Sequence, residues 1–134
     1  MKNLGQRGFT LIEVLVVCTM LGILAAIAVP KLTNSVAMAN TAKVKSDLQT
    51  LDTAIVMYQM EKGTDPGSVD ALSEYVTDIK TLKPPTGKCK LSDGSLVDIK
   101  SATYELKDVG ASEDKKTGQK RAVCDGRTAG EYGK

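Results

Sequence analysis

Apolar residues fall along this chain in three regimes. From Phe9 to Val29 almost every position is apolar, 21 residues broken by a single formal charge, Glu13. A run of that length predicts a helix able to span a hydrocarbon core of about 30 Å. From Lys31 to Lys62 the pattern turns periodic. Val44, Leu48, Leu51, Ile55 and Tyr58 recur at intervals of four, three, four and three, which is one face of an α-helix. Lys43, Lys45, Asp47, Gln49, Asp52 and Gln59 fall mostly on other faces, and Gly63 suits the C-terminal cap. Residues 9–62 together predict one helix of about 80 Å.

After Gly63 the pattern shortens to strand and turn signals. Thr64-Asp65-Pro66-Gly67 predicts a turn, and Ser68 an N-cap for a short helix over Val69–Val76. Lys83–Gly87 reads as a loop. Lys88–Ile99 predicts a β-hairpin, with Asp93-Gly94 suited to a type I′ turn. Ala102–Lys107 and Lys120–Cys124 predict two further strands, with a charged loop between Val109 and Gln119 and a mobile tail after Cys124. The fold class is therefore α+β: a long N-terminal helix as spine, packed on a small antiparallel β-sheet head. The segments are 1–8, 9–30, 31–62 and 63–134.

Composition narrows the chemistry. There is no His, no Trp and one Phe among the 134 residues. Mechanisms that need His as base, ligand or triad member are excluded. No nucleotide-binding loop and no clustered acid pair is present, so no catalytic residue, cofactor or metal is assigned and the chain is read as a non-enzyme. Asp93, Asp108, Glu113, Asp114 and Asp125 invite a calcium reading, but they lack EF-hand spacing and read as solvated loop charges. Lys115, Lys116, Lys120 and Arg121 form one basic cluster and Lys83, Lys88 and Lys90 another. With no aromatic interleaved to stack on bases, they give DNA only weak support as a partner.

The first eight residues, MKNLGQRG, hold Lys2 and Arg7 and no acid. Such a flank keeps the N-terminus cytoplasmic and places everything after Pro30 outside. The apolar run then fits a passive anchor, or a signal peptide released at the A-x-A site Ala26-Ile27-Ala28, or a segment in which Glu13 has a task. A carboxylate inside such a helix costs about 2.5–3.5 kcal/mol at the membrane centre and less near its edge. A new amine at Phe9, on the same or a neighbouring chain, is one cation able to meet it. Cys89 and Cys124 are the pair on the exported side, and an even count there predicts a disulfide closing loop 89–124. Cys18, in the apolar run, reads as a small hydrophobe.

The string Gln6–Val17, QRGFTLIEVLVV, closely resembles the processing motif of type IV prepilins and type II secretion pseudopilins. The resemblance implies cleavage by a prepilin peptidase between Gly8 and Phe9, and N-methylation of Phe9. It implies that Glu13 pairs with the terminal amine of an adjacent subunit during assembly, and that Gly22 and Pro30 weaken the helix. Thr33–Ala42, poor in large apolar groups, is then expected to pack on other subunits. The implied partners are further copies in a homopolymer, the peptidase, a membrane assembly platform, and the membrane itself before assembly. The implied location is a single-pass membrane protein that becomes an extracellular or periplasmic filament. A type IV pilus subunit is the leading expectation. A pseudopilin of a type II secretion or competence system, or a low-copy binding pilin, is the alternative. The formal charge of +2 belongs to Lys2 and Arg7, so residues 9–134 hold equal numbers of basic and acidic side chains.

Overall fold

The computed structural model describes residues 8–110 and 118–133. One helix, α1 (Leu11–Lys62), dominates it. The chain divides into two compact units, one ending at Ser35 and one beginning at Val36. In the first unit every described residue is exposed, including Leu15, Leu21, Ile23 and Ile27. Helix α1 passes through both Gly22 and Pro30. Past the proline, the Thr33 hydroxyl donates to the Val29 carbonyl at 3.2 Å and the Ser35 hydroxyl to the Lys31 carbonyl at 3.1 Å.

The second unit is built on the predicted stripe. Val44, Leu48, Leu51 and Ile55 are buried, with Tyr58 packed beside them. The stripe starts earlier than the apolar periodicity indicates, because Ala37 and Thr41 are buried as well. Part of the stretch expected to contact only other subunits thus packs on its own head. Around the stripe gather Leu72, Cys89, Tyr104, Ala122, Cys124 and Tyr132.

Four short strands supply two antiparallel ribbons. Strands β1 (Gly87–Lys90) and β2 (Leu96–Ile99) form one, and β3 (Glu105–Val109) and β4 (Gln119–Val123) the other. The third strand begins three residues later than its alternation suggests, since Lys100 and Ser101 are bound to Asp125, as described below. The expected helix over Val69–Val76 is a 3₁₀ turn, Val69–Leu72, followed by a second at Ile79–Thr81. Ser68 makes no side-chain cap, and one uncapped turn does not sustain an α-helix.

Polar side chains of α1 close the ribbon edges. Asn40 Nδ2 donates to the carbonyls of Lys88 and Thr86 at 3.1 and 3.3 Å. Thr41 Oγ1 accepts the Lys90 N–H at 2.6 Å and donates to the Ala37 carbonyl at 2.7 Å. Asp52 accepts the Ala122 N–H at 2.8 Å and holds Arg121 through Nε and Nη2 at 3.0 and 2.8 Å. Asp47 accepts the hydroxyl of buried Tyr104 at 2.6 Å. Backbone groups that would stand open at a sheet edge are thereby paired with the spine.

The two Asp-Gly pairs exchange roles relative to expectation. At Asp93-Gly94 only the glycine has positive φ, and the hairpin reverses through three residues. The Leu91 carbonyl accepts from Gly94 N–H at 3.0 Å, and Leu91 N–H donates to Ser95 at 2.8 Å. The I′ geometry lies instead at Asp125 (φ +49) and Gly126 (φ +75), closed by reciprocal Cys124–Arg127 bonds of 2.9 Å. The Asp125 carboxylate then reaches across to β2's exit, accepting Lys100 N–H at 2.9 Å, Ser101 N–H at 2.8 Å and the Ser101 hydroxyl at 2.6 Å.

The tail is not loose. Thr128 and Glu131 form a reciprocal capping box around a short 3₁₀ turn, Ala129–Glu131. Tyr132 is fully buried and donates to the Cys124 carbonyl at 2.8 Å. Gly133 N–H bonds the Lys90 carbonyl at 3.1 Å, and Lys45 Nζ bonds the Gly133 carbonyl at 3.2 Å. A Cβ on Gly133 would lie 2.7 Å from Thr41 Cγ2, so only glycine fits where the tail crosses the spine. Gly and Asp content disguised one anchoring aromatic. Tyr132→Ala should cost about 3–5 kcal/mol and Tyr132→Phe about 0.5–1.5 kcal/mol, read from urea unfolding of the detergent-solubilised chain.

Candidate functional site

The residues singled out by the sequence lie at the start of α1. Phe9 and Thr10 precede its first turn and Glu13 lies in that turn. Thr10 Oγ1 accepts the Glu13 N–H at 3.3 Å. In return Glu13 Oε2 accepts the Thr10 N–H at 2.8 Å and the Thr10 hydroxyl at 2.9 Å. This is a capping box: each residue satisfies a polar group of the other at the positive end of the helix dipole. The Thr-x-x-Glu spacing that builds it stands in the sequence at Thr10-Leu11-Ile12-Glu13 and was the signal missed. The carboxylate therefore has local donors and does not need a distant cation to be held in place. Phe9 is 88% exposed beside it.

Cys89 and Cys124 depart from expectation. Both are free thiols and both are fully buried. Burial pushes the Cys89 thiol up, opposed by a hydrogen bond with Thr41. Burial likewise pushes Cys124 up to about 11, opposed by Tyr132. Both sit in the core as small apolar groups. The expected staple of loop 89–124 is absent, and bonds to the spine and Asp125 hold that region instead. Cys18 is exposed on α1.

The acids of the calcium reading are dispersed. Asp93 accepts the N–H and hydroxyl of Ser95 at 2.8 and 2.6 Å, which hold its carboxyl below the usual range. Asp108 pairs with Lys120 at 3.2 Å, and Asp125 bonds Lys100 and Ser101. Glu113 and Asp114 lie outside the described residues. Among the described residues no group of three or more Cys, Asp or Glu side chains is placed to hold a metal ion. Of the basic cluster, Lys120 and Arg121 are engaged by Asp108 and Asp52, while Lys115 and Lys116 lie outside the described residues. A hollow of about 660 Å³ between β2 and β3 is lined by Asp98, Lys100, Glu105, Lys107, Asp125 and Arg127, whose formal charges cancel.

The model of the prokaryotic N-terminal methylation motif matches residues 3–29. The chain is also 36% identical over 94 residues to a type II secretion system core protein G of Klebsiella michiganensis, covering 70% of this chain and 65% of the relative. The chain carries the prokaryotic N-terminal methylation motif and is similar to core G proteins of type II secretion systems, which supports its recognition as a prepilin-type or pseudopilin-type chain. Proteins of the same description from Pectobacterium carotovorum and Vibrio cholerae are each 39% identical, over 72 and 76 residues. Those matches cover 54% and 57% of this chain and 46% and 52% of the relatives. The chain thus spans about half to two thirds of the length of these relatives. No solved structure matches it significantly.

The thiol assignment has a direct consequence for the second unit. Without reductant, Cys89 and Cys124 should resist alkylation while the chain is folded, and both should take the label after denaturation. Label-free cysteines in the denatured, unreduced chain would instead reveal a disulfide; peptide mass spectrometry reads the outcome.

Proposed function

We propose that the chain is a pseudopilin, a structural subunit of the pilus-like filament of a type II secretion system. The observation that carries this reading is the likeness to several core G proteins of such systems, which extends beyond the motif common to all prepilins. It favours the alternative drawn from the sequence over the type IV pilus that led there. The motif residues support processing after Gly8 by a prepilin peptidase and methylation at Phe9. The first unit fits a membrane-held precursor, since its apolar side chains are exposed among the described residues. The same surface is what helices of neighbouring subunits would bury once the segment leaves the lipid.

In this reading Glu13 guides docking. A neighbour's Phe9 amine offers a charge to the carboxylate that Thr10 already orients. Gly22 and Pro30 give the helix its weakest stretch in the assembled filament. Cells lacking the chain should retain the secretion system's cargo in the periplasm, and continued export would overturn the assignment. Glu13→Ala should yield a processed, methylated and stable subunit that fails to enter filaments. Mass spectrometry of membranes and sheared filaments checks this, through loss of residues 1–8 and one added methyl.

A further inference from the structure

Two stretches of the sequence carry lysines and no acid. Between Glu13 and Asp47 the charges are Lys31, Lys43 and Lys45; between Asp78 and Asp93 they are Lys80, Lys83, Lys88 and Lys90. The fold joins them, because Asn40 and Thr41 hold the backbone of Thr86, Lys88 and Lys90. Cys89 faces the core, and alternation along β1 turns Lys88 and Lys90 outward together. Lys45 and Lys90 flank a hollow of about 280 Å³ that also takes in Met38, which is 62% exposed. Asp98 lies opposite Lys88 in the ribbon, whereas Asp47 is occupied by Lys43 and Tyr104. Lys45, Lys88 and Lys90 against Asp98 leave two net positive charges on a face whose hollow, flanked by Lys45 and Lys90, takes in an exposed methionine. Acids gather at the far end of the spine, where Glu61 meets Tyr75, Asp65 meets Gln59 and Glu74 meets Lys62.

Cations beside an exposed apolar side chain match an anionic lipid surface, which offers phosphates above hydrocarbon. Nine residues of chain separate Asn40 from Pro30, where the apolar run ends. Whatever path they take, a membrane holding Phe9–Val29 is tethered to this face at high effective concentration. We propose that the Lys45, Lys88 and Lys90 face, with Met38 among them, rests on the anionic phosphate headgroups of the membrane that holds the subunit before assembly. The contact keeps an unassembled head lowered on the surface and is released when assembly withdraws the anchor. It rests on the reading of Phe9–Val29 as that anchor.

The test uses the full chain in vesicles of phosphatidylcholine, with or without phosphatidylglycerol. Each lysine's acetylation rate is followed by mass spectrometry. Lys88 and Lys90 should react several-fold more slowly in the anionic vesicles, with Lys62 and Lys107 unchanged. The difference should vanish at roughly 0.5 M salt, where the screening length is about 4 Å. Lys88→Glu with Lys90→Glu should abolish the lipid-dependent protection of Lys45, while amide exchange shows the head still folded. Equal rates in both vesicle types overturn the proposal. So does protection that rises with protein concentration in detergent, which would assign the face to a second copy. Failure of the chain to float with either vesicle overturns the anchor reading itself, a result distinct from floating without protection.

Discussion

The second unit depends on one apolar stripe of a helix. Val44, Leu48, Leu51 and Ile55 are almost wholly removed from solvent, and the residues that cover them come from every later part of the chain. Burying each such side chain is worth about 1.5–3 kcal/mol. The ribbons opposite are two-stranded, and a two-stranded ribbon is marginal by itself in water. The spine is thus the second layer of the head's core as well as its support.

That dependence explains the polar chemistry along the same helix. Asn40, Thr41 and Asp52 each pair with strand backbone, and Asp47 with the hydroxyl of a buried tyrosine. A ribbon docked by one face must also have its edges satisfied, or buried amides would lack partners. Asp125 serves between ribbons as those residues do between ribbon and helix. With these crosslinks present, the two buried thiols are not required as a staple.

The first unit presents the opposite condition. Its side chains from Phe9 to Val29 are mostly apolar and are exposed among the described residues. Water is an unfavourable surrounding for such a surface, whereas lipid or the helices of other subunits are favourable. Glu13, the one formal charge between Phe9 and Val29, is met by Thr10 in a capping box, so an acid that looks costly in the sequence has donors one turn away. The N-terminal methylation motif and the local geometry converge on these few residues.

What the residues disclosed alone was local or periodic. The apolar run from Phe9, the stripe from Val44 to Ile55, and the pairing of β1 with β2 all follow from neighbours within a few positions, where helix and hairpin physics operate. The Thr10–Glu13 box was equally local and was overlooked. Tertiary structure decided the rest. Two identical Asp-Gly pairs took different turns because strand register, set by packing, determines which one closes a two-residue loop. Cys89 and Cys124 are buried free thiols in the core, and Tyr132 fixes a tail whose composition reads as loose. Each of these outcomes turns on contacts between residues far apart in the chain, and a linear pattern does not encode which distant groups will meet.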